Sequence, residues 1–109
     1  MSDLQTIRGI VPVLITPIDA AGEVDIASLR ALIDYLRSFN IGGLWVLGTG
    51  GEDMSLTFRQ RVTVASVVTD SCAGTIPIIM GCGFFSMQES KEFIDETSSL
   101  DFYAYHAMP

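Results

Sequence analysis

The stretch Gly43-Leu44-Trp45-Val46-Leu47-Gly48-Thr49-Gly50-Gly51-Glu52 limits what this chain can fold into more than any other. Leu44 to Leu47 is apolar with no polar alternation, as in a parallel strand covered on both faces. Gly48, Gly50 and Gly51 follow at once, and glycine lets a backbone turn sharply and bring its N–H groups close to a small ligand. A helical pattern begins within a few residues. An anion suits such a place, since free N–H groups and the helix dipole point the same way. The same turn can also serve only to join a strand to a helix.

The rest of the chain repeats this alternation. Ile10 to Ile15 is β-branched and apolar and predicts a first strand ended by Pro17, although Pro12 removes a ladder donor and belongs at an edge or bulge. Ala20-Ala21-Gly22-Glu23 reads as a turn. Asp25 stands at an N-cap position ahead of Ile26, Leu29, Leu32, Ile33, Leu36 and Phe39, the apolar stripe of an amphipathic helix. Asn40 and Gly42-Gly43 stop it. After the glycine turn, Thr57 and Gln60 have capping-box spacing and predict a helix to about Asp70. Its many β-branched residues are poor helix formers, so burial must hold it. Ile76 to Met80 is a third strand, breaking into Gly81-Cys82-Gly83. Ser86 and Glu89 form a second capping box before a helix through Phe93 and Ile94. Asp101 to His106 is a fourth strand.

Strands beginning near residues 9, 43, 76 and 102 suit βα units with right-handed crossovers, an α/β class in one domain or part of one. With 49% hydrophobic and 17% charged residues the chain has a core to bury, which excludes disorder. A net charge of −7 would repel a nucleic-acid backbone. Cys72 and Cys82 have no metal-ligand spacing, and the predicted setting is reduced and cytoplasmic. Met1 to Arg8 has no signal-peptide core, and no apolar run approaches membrane-spanning length, about 18 residues or more. No metal and no cofactor is expected.

In parallel α/β folds ligands bind at the carboxyl ends of the strands. Those ends carry Thr16, the Gly48 to Glu52 loop, the Gly81-Cys82-Gly83 loop and the stretch from His106 to Pro109. Neither glycine loop is a Walker A or dinucleotide motif. The Thr49 hydroxyl can serve a ligand or its own turn. Glu52 can act as an acid or base, or settle on backbone amides. His106 and Cys82 lack partners for catalysis and read better as structural and packing residues. Tyr103 and Tyr105 alternate with Phe102 and Ala104 as core packing would require.

Gly9…Thr16-Pro17, Gly43…Gly48-Thr49-Gly50-Gly51-Glu52, Leu56-Thr57…Arg61, Ile76-Pro77-Ile78-Ile79…Gly81-Cys82-Gly83 and Asp101 together resemble the N-terminal part of the dihydrodipicolinate synthase / N-acetylneuraminate lyase family. The resemblance runs over essentially the whole chain, and the glycine–threonine segment is its most specific motif. It implies a TIM (β/α)8 barrel of which residues 1–109 supply the first half, strands one to four. It implies a homo-oligomer, usually a tetramer, that forms a Schiff base between a lysine and pyruvate or a related 2-oxo acid. That lysine lies on the family's sixth strand and its tyrosine acid/base on the fifth, beyond this chain. The only lysine here, Lys91, falls on a helix among acidic residues.

Within these residues the resemblance makes Thr49 a catalytic residue, its hydroxyl joining a proton relay. It makes Gly48, Thr49, Gly50 and Gly51 the carboxylate-binding loop, with the amides of Gly50 and Gly51 as donors. Three positions depart from the family pattern: Gly50 replaces a threonine or serine, Val13 stands where alanine is common, and Gln60 replaces a frequent glutamate while still completing the cap. Two other readings remain open, a non-catalytic half barrel and a small doubly wound domain binding a phosphate or nucleotide.

Overall fold

A computed structural model describes residues 6–108. Residues 1–5 of the Met1 to Arg8 stretch and Pro109 of the last rim stretch lie outside the described residues. Three helices and three strands alternate: α1 (Ile26–Arg37), β1 (Leu44–Val46), α2 (Phe58–Cys72), β2 (Ile78–Gly81), α3 (Met87–Thr97) and β3 (Ala104–His106).

Each helix starts where local chemistry dictates. The Asp25 carboxylate accepts from the Ser28 amide at 3.0 Å. That bond holds its carboxyl below the ordinary value. Thr57 and Gln60 complete a reciprocal capping box at 3.1 and 3.0 Å. Ser86 caps α3 by accepting from the Glu89 amide. The second box is only half formed, because the Glu89 carboxylate takes the Ser86 hydroxyl at 3.2 Å. α1 ends before Phe39, which stays exposed and meets Tyr35 edge-on.

The sheet is parallel in the order β1-β2-β3, with Trp45 opposite Ile79 and Ile79 opposite Ala104. The expected first strand is reduced. Residues 10–15 lie alongside β1, but the pairing contracts to Val13 and Trp45. Three bonds fix that edge: Leu14 N–H to Trp45 O, Trp45 N–H to Pro12 O and Gly42 N–H to Ile10 O. Pro12 offers no N–H and so shortens the ladder. β2 begins two residues later than expected, beyond Pro77, and β3 three residues later than Asp101.

Leu14, Leu44, Val46, Ile78 and Met80 are buried, and they pack with Leu29, Ile33, Val64, Val68 and Phe93 of the helices. Val13, Trp45 and Ile79 alternate with them and form the face that the helices do not cover. Strands in sequence order with helices on one face are incompatible with the doubly wound alternative, whose strands reorder and whose helices cover both faces.

Candidate functional site at the carboxyl rim

The bend after β1 starts earlier than glycine placement predicts. Leu47 itself is left-handed, at φ 59°. For a leucine this costs about 1–2 kcal/mol, and its side chain is held in the core. The Leu47 carbonyl is thereby turned onto β2, where a β-carbon on Gly81 would lie 2.0 Å from its oxygen. The absent side chain at position 81 is what admits the bend.

The loop then makes two single 3-10 turns, Thr49–Gly51 and Asp53–Ser55, joined by left-handed Glu52. Gly48 O accepts from the amides of Gly51 at 3.1 Å and Asp53 at 3.3 Å, and Thr49 O accepts from Glu52 at 3.0 Å. The Thr16 hydroxyl donates to Gly51 O at 2.9 Å, tying the loop to the first extended segment.

This arrangement changes the donor set. The Gly51 amide is committed to Gly48, whereas the amides of Thr49 and Gly50 have no acceptor among the described residues. The Thr49 hydroxyl is likewise without a partner there and does not close its own turn. Thr49 is exposed and lines a cleft of about 100 Å³ with Gly48, Asp53, Met54, Phe84 and His106. Two amides and a hydroxyl suit an acid head group, which offers only acceptors when ionised. Gly51 and Glu52 line a neighbouring hollow with Thr16 and Gln60. The Glu52 carboxylate settles on no backbone amide among the described residues, contrary to the structural alternative.

The second glycine loop meets the first through Arg61. This side chain is 4% exposed, donates to Gly83 O, reaches Met54 Sδ at 3.6 Å and lies 3.8 Å over the Phe84 ring. Burial lowers its pKa while the charges of Asp53 and Glu89 hold it up. His106 is structural, as expected: it stacks on Trp45, and its Nε2 lies 3.0 Å from Val46 O. Cys82 is buried, and burial pushes its thiol up. Tyr105 bonds Thr97 at 2.6 Å and the Ile94 carbonyl at 3.2 Å, anchoring β3 to α3. No cluster of three or more potential metal ligands occurs among the described residues.

Sequence reasoning gave no role to Thr16 or Arg61. A hydroxyl at the end of an apolar run, and a basic residue inside the apolar pattern of α2, were the available signals. Nothing in the sequence marks Leu47 as the bend.

A parallel α/β protein with its open donors on the carboxyl rim is the class these features define. The sequence model of the Dihydrodipicolinate synthetase family matches residues 6–108, and the chain belongs to that family. It is 32% identical to a 4-hydroxy-tetrahydrodipicolinate synthase of Polynucleobacter asymbioticus over 96% of this chain and 36% of the relative. It is 31% identical to an N-acetylneuraminate lyase of Citrobacter koseri over 94% and 34%. A prophage protein of the dihydrodipicolinic acid synthase family from E. coli K12, solved in complex with pyruvate, superposes with a TM-score of 0.85 at 28% identity, over 91% of this chain and 33% of that one. The chain thus spans about a third of the length of the relatives it matches. No helix among the described residues is long and apolar enough to cross a membrane.

Proposed function

We propose that residues 1–109 are the N-terminal half, strands one to four, of a single (β/α)8-barrel domain. The whole protein is then a cytoplasmic, oligomeric Schiff-base lyase or aldolase acting on pyruvate or a related 2-oxo acid. The observation that carries this reading is the unengaged donor set of Thr49 and Gly50 on the rim of a chain whose family match includes a pyruvate-bound relative.

In this reading the substrate carboxylate accepts from the Thr49 and Gly50 amides, which fixes the neighbouring keto carbon. Hydrogen bonds to an ionised oxygen are about twice as strong as neutral ones. A lysine amine adds to that carbon, and loss of water leaves an iminium. It takes up the electron pair of a carbon–carbon bond one atom removed as that bond breaks, or, once a proton has left the neighbouring carbon, the enamine so formed expels a hydroxyl that departs with a proton as water. Thr49 passes protons at this step. Lys91 is exposed on α3 and does not line the cleft, so the nucleophile belongs to barrel strands outside these residues.

Borohydride treatment of the full-length protein with pyruvate is expected to leave a stable covalent adduct on a lysine. Absence of an adduct with every 2-oxo acid tried overturns the reading. The uncovered face carrying Val13 (50% exposed) and Ile15 (58%) favours a second reading, a non-catalytic half barrel that must associate to bury it. Size-exclusion chromatography of residues 1–109 tests this, and a well-folded monomer rejects it.

A further inference from the structure

We propose that Val13 determines what the rim site accepts, by filling with a methyl group the volume that a side chain at position 50 would need. The inference rests on the 2-oxo acid reading above and deepens it. A β-carbon built on Gly50 would lie 2.4 Å from Val13 Cγ1, with Val13 Cβ at 3.5 Å and Cγ2 at 3.8 Å. Carbon atoms in contact sit about 3.5–4.0 Å apart, so the overlap exceeds one ångström. All three nearest atoms belong to one residue.

Val13 has little freedom to retreat. Its β-branched side chain is stiff at χ1. Its backbone is clamped on both sides, by Trp45 N–H to Pro12 O at 3.0 Å and Leu14 N–H to Trp45 O at 2.9 Å. Valine at 13 and glycine at 50 are therefore a matched pair, and a hydroxyl side chain at 50 demands a smaller residue at 13.

The pair is exposed on the uncovered face beside Thr49 rather than buried in the core. Val13 is half exposed, and Gly50 carries one of the two unengaged amides. A bound acid consequently meets main-chain donors and the Thr49 hydroxyl, with a methyl wall where a second hydroxyl would otherwise stand. The ligand class is a 2-oxo monocarboxylate anchored without a side-chain donor from position 50.

The test compares wild type, G50A, G50S, V13A and V13A/G50S in the full-length protein, by thermal unfolding and by calorimetric titration with pyruvate. We expect G50A and G50S to lower Tm by several degrees and V13A/G50S to regain at least half of that loss. We expect V13A/G50S to bind pyruvate about tenfold or more tighter than wild type, the effect of one added hydrogen bond to a charged group. V13A alone gives no such gain. If G50A and G50S melt with wild type, or if the double variant binds pyruvate no tighter, the proposal is overturned. If wild type binds no 2-oxo acid at all, the proposal falls with the reading beneath it, and a surviving Tm coupling distinguishes that failure from failure of the contact.

Discussion

The Trp45 indole and the His106 imidazole stack with centroids 4.1 Å apart and planes 20° apart, while His106 Nε2 lies 3.0 Å from Val46 O. His106 ends β3 and Trp45 lies on β1, with β2 between them. The ring reaches across because its register partner is Gly81, where a β-carbon would lie 3.0 Å from His106 Cε1. One histidine thus ties the two outer strands together. H106A is expected to cost about 1–2 kcal/mol, combining a ring contact and a hydrogen bond. Trp45 is the only tryptophan, so its fluorescence reports the stack directly. Emission should rise and shift to the red in the variant, and an unchanged spectrum contradicts the stack.

Two glycines of one loop should respond very differently to alanine. At Gly81 the new carbon meets the Leu47 carbonyl oxygen at 2.0 Å, a backbone atom that cannot swing aside. At Gly83 the nearest atom is Met108 N at 4.0 Å, an ordinary contact. Urea unfolding should show G81A weaker by about 3–5 kcal/mol, in the range that marks a specific steric fault. G83A should lose about 1 kcal/mol or less. Equal losses in the two variants refute the account of the bend.

Thr16 secures the glycine loop through one hydroxyl. T16V keeps the shape and removes the donor, and its expected cost is about 1 kcal/mol. The local consequence is larger than the global one. Amide hydrogen exchange at Glu52 and Asp53 should accelerate, because their acceptors, Thr49 O and Gly48 O, belong to the loop that Thr16 anchors. Unchanged exchange there rejects the anchoring role.

Burial pushes the Cys72 thiol from its ordinary 9.0 up to about 11. The folded state therefore keeps a proton that the unfolded chain gives up first. Its contribution to stability is fully present below about pH 9 and is lost as pH rises through about 11. Stability measured from pH 8 to 11 should fall, and C72A should flatten that slope. At neutral pH the thiol should alkylate only as fast as the protein unfolds, since the thiolate is the reactive form.

Helix starts were legible because they are local. Asp25, Thr57 with Gln60, and Ser86 each bond an amide three residues away, so the pattern and the contact share one short window. Strand limits were less so. Pro12 forewarned of the contracted edge, but the late start of β3 depends on pairing with β2. At the site, glycine composition singled out the loop after β1 and Thr49 within it. It did not reveal which amides remain open, because that depends on turn geometry inside the loop. Turn geometry engages the Gly51 amide and leaves those of Thr49 and Gly50 open among the described residues.

What the sequence settled by itself is the alternation of elements, the caps and the family, since each is written in near-neighbour spacing or in ordered motifs. Tertiary structure alone decided the left-handed Leu47, the fit of Gly50 against Val13 and the crossing of His106 over Gly81. Each joins residues more than twenty positions apart or a conformation its own residue disfavours, and only close packing of strands brings such atoms within van der Waals reach.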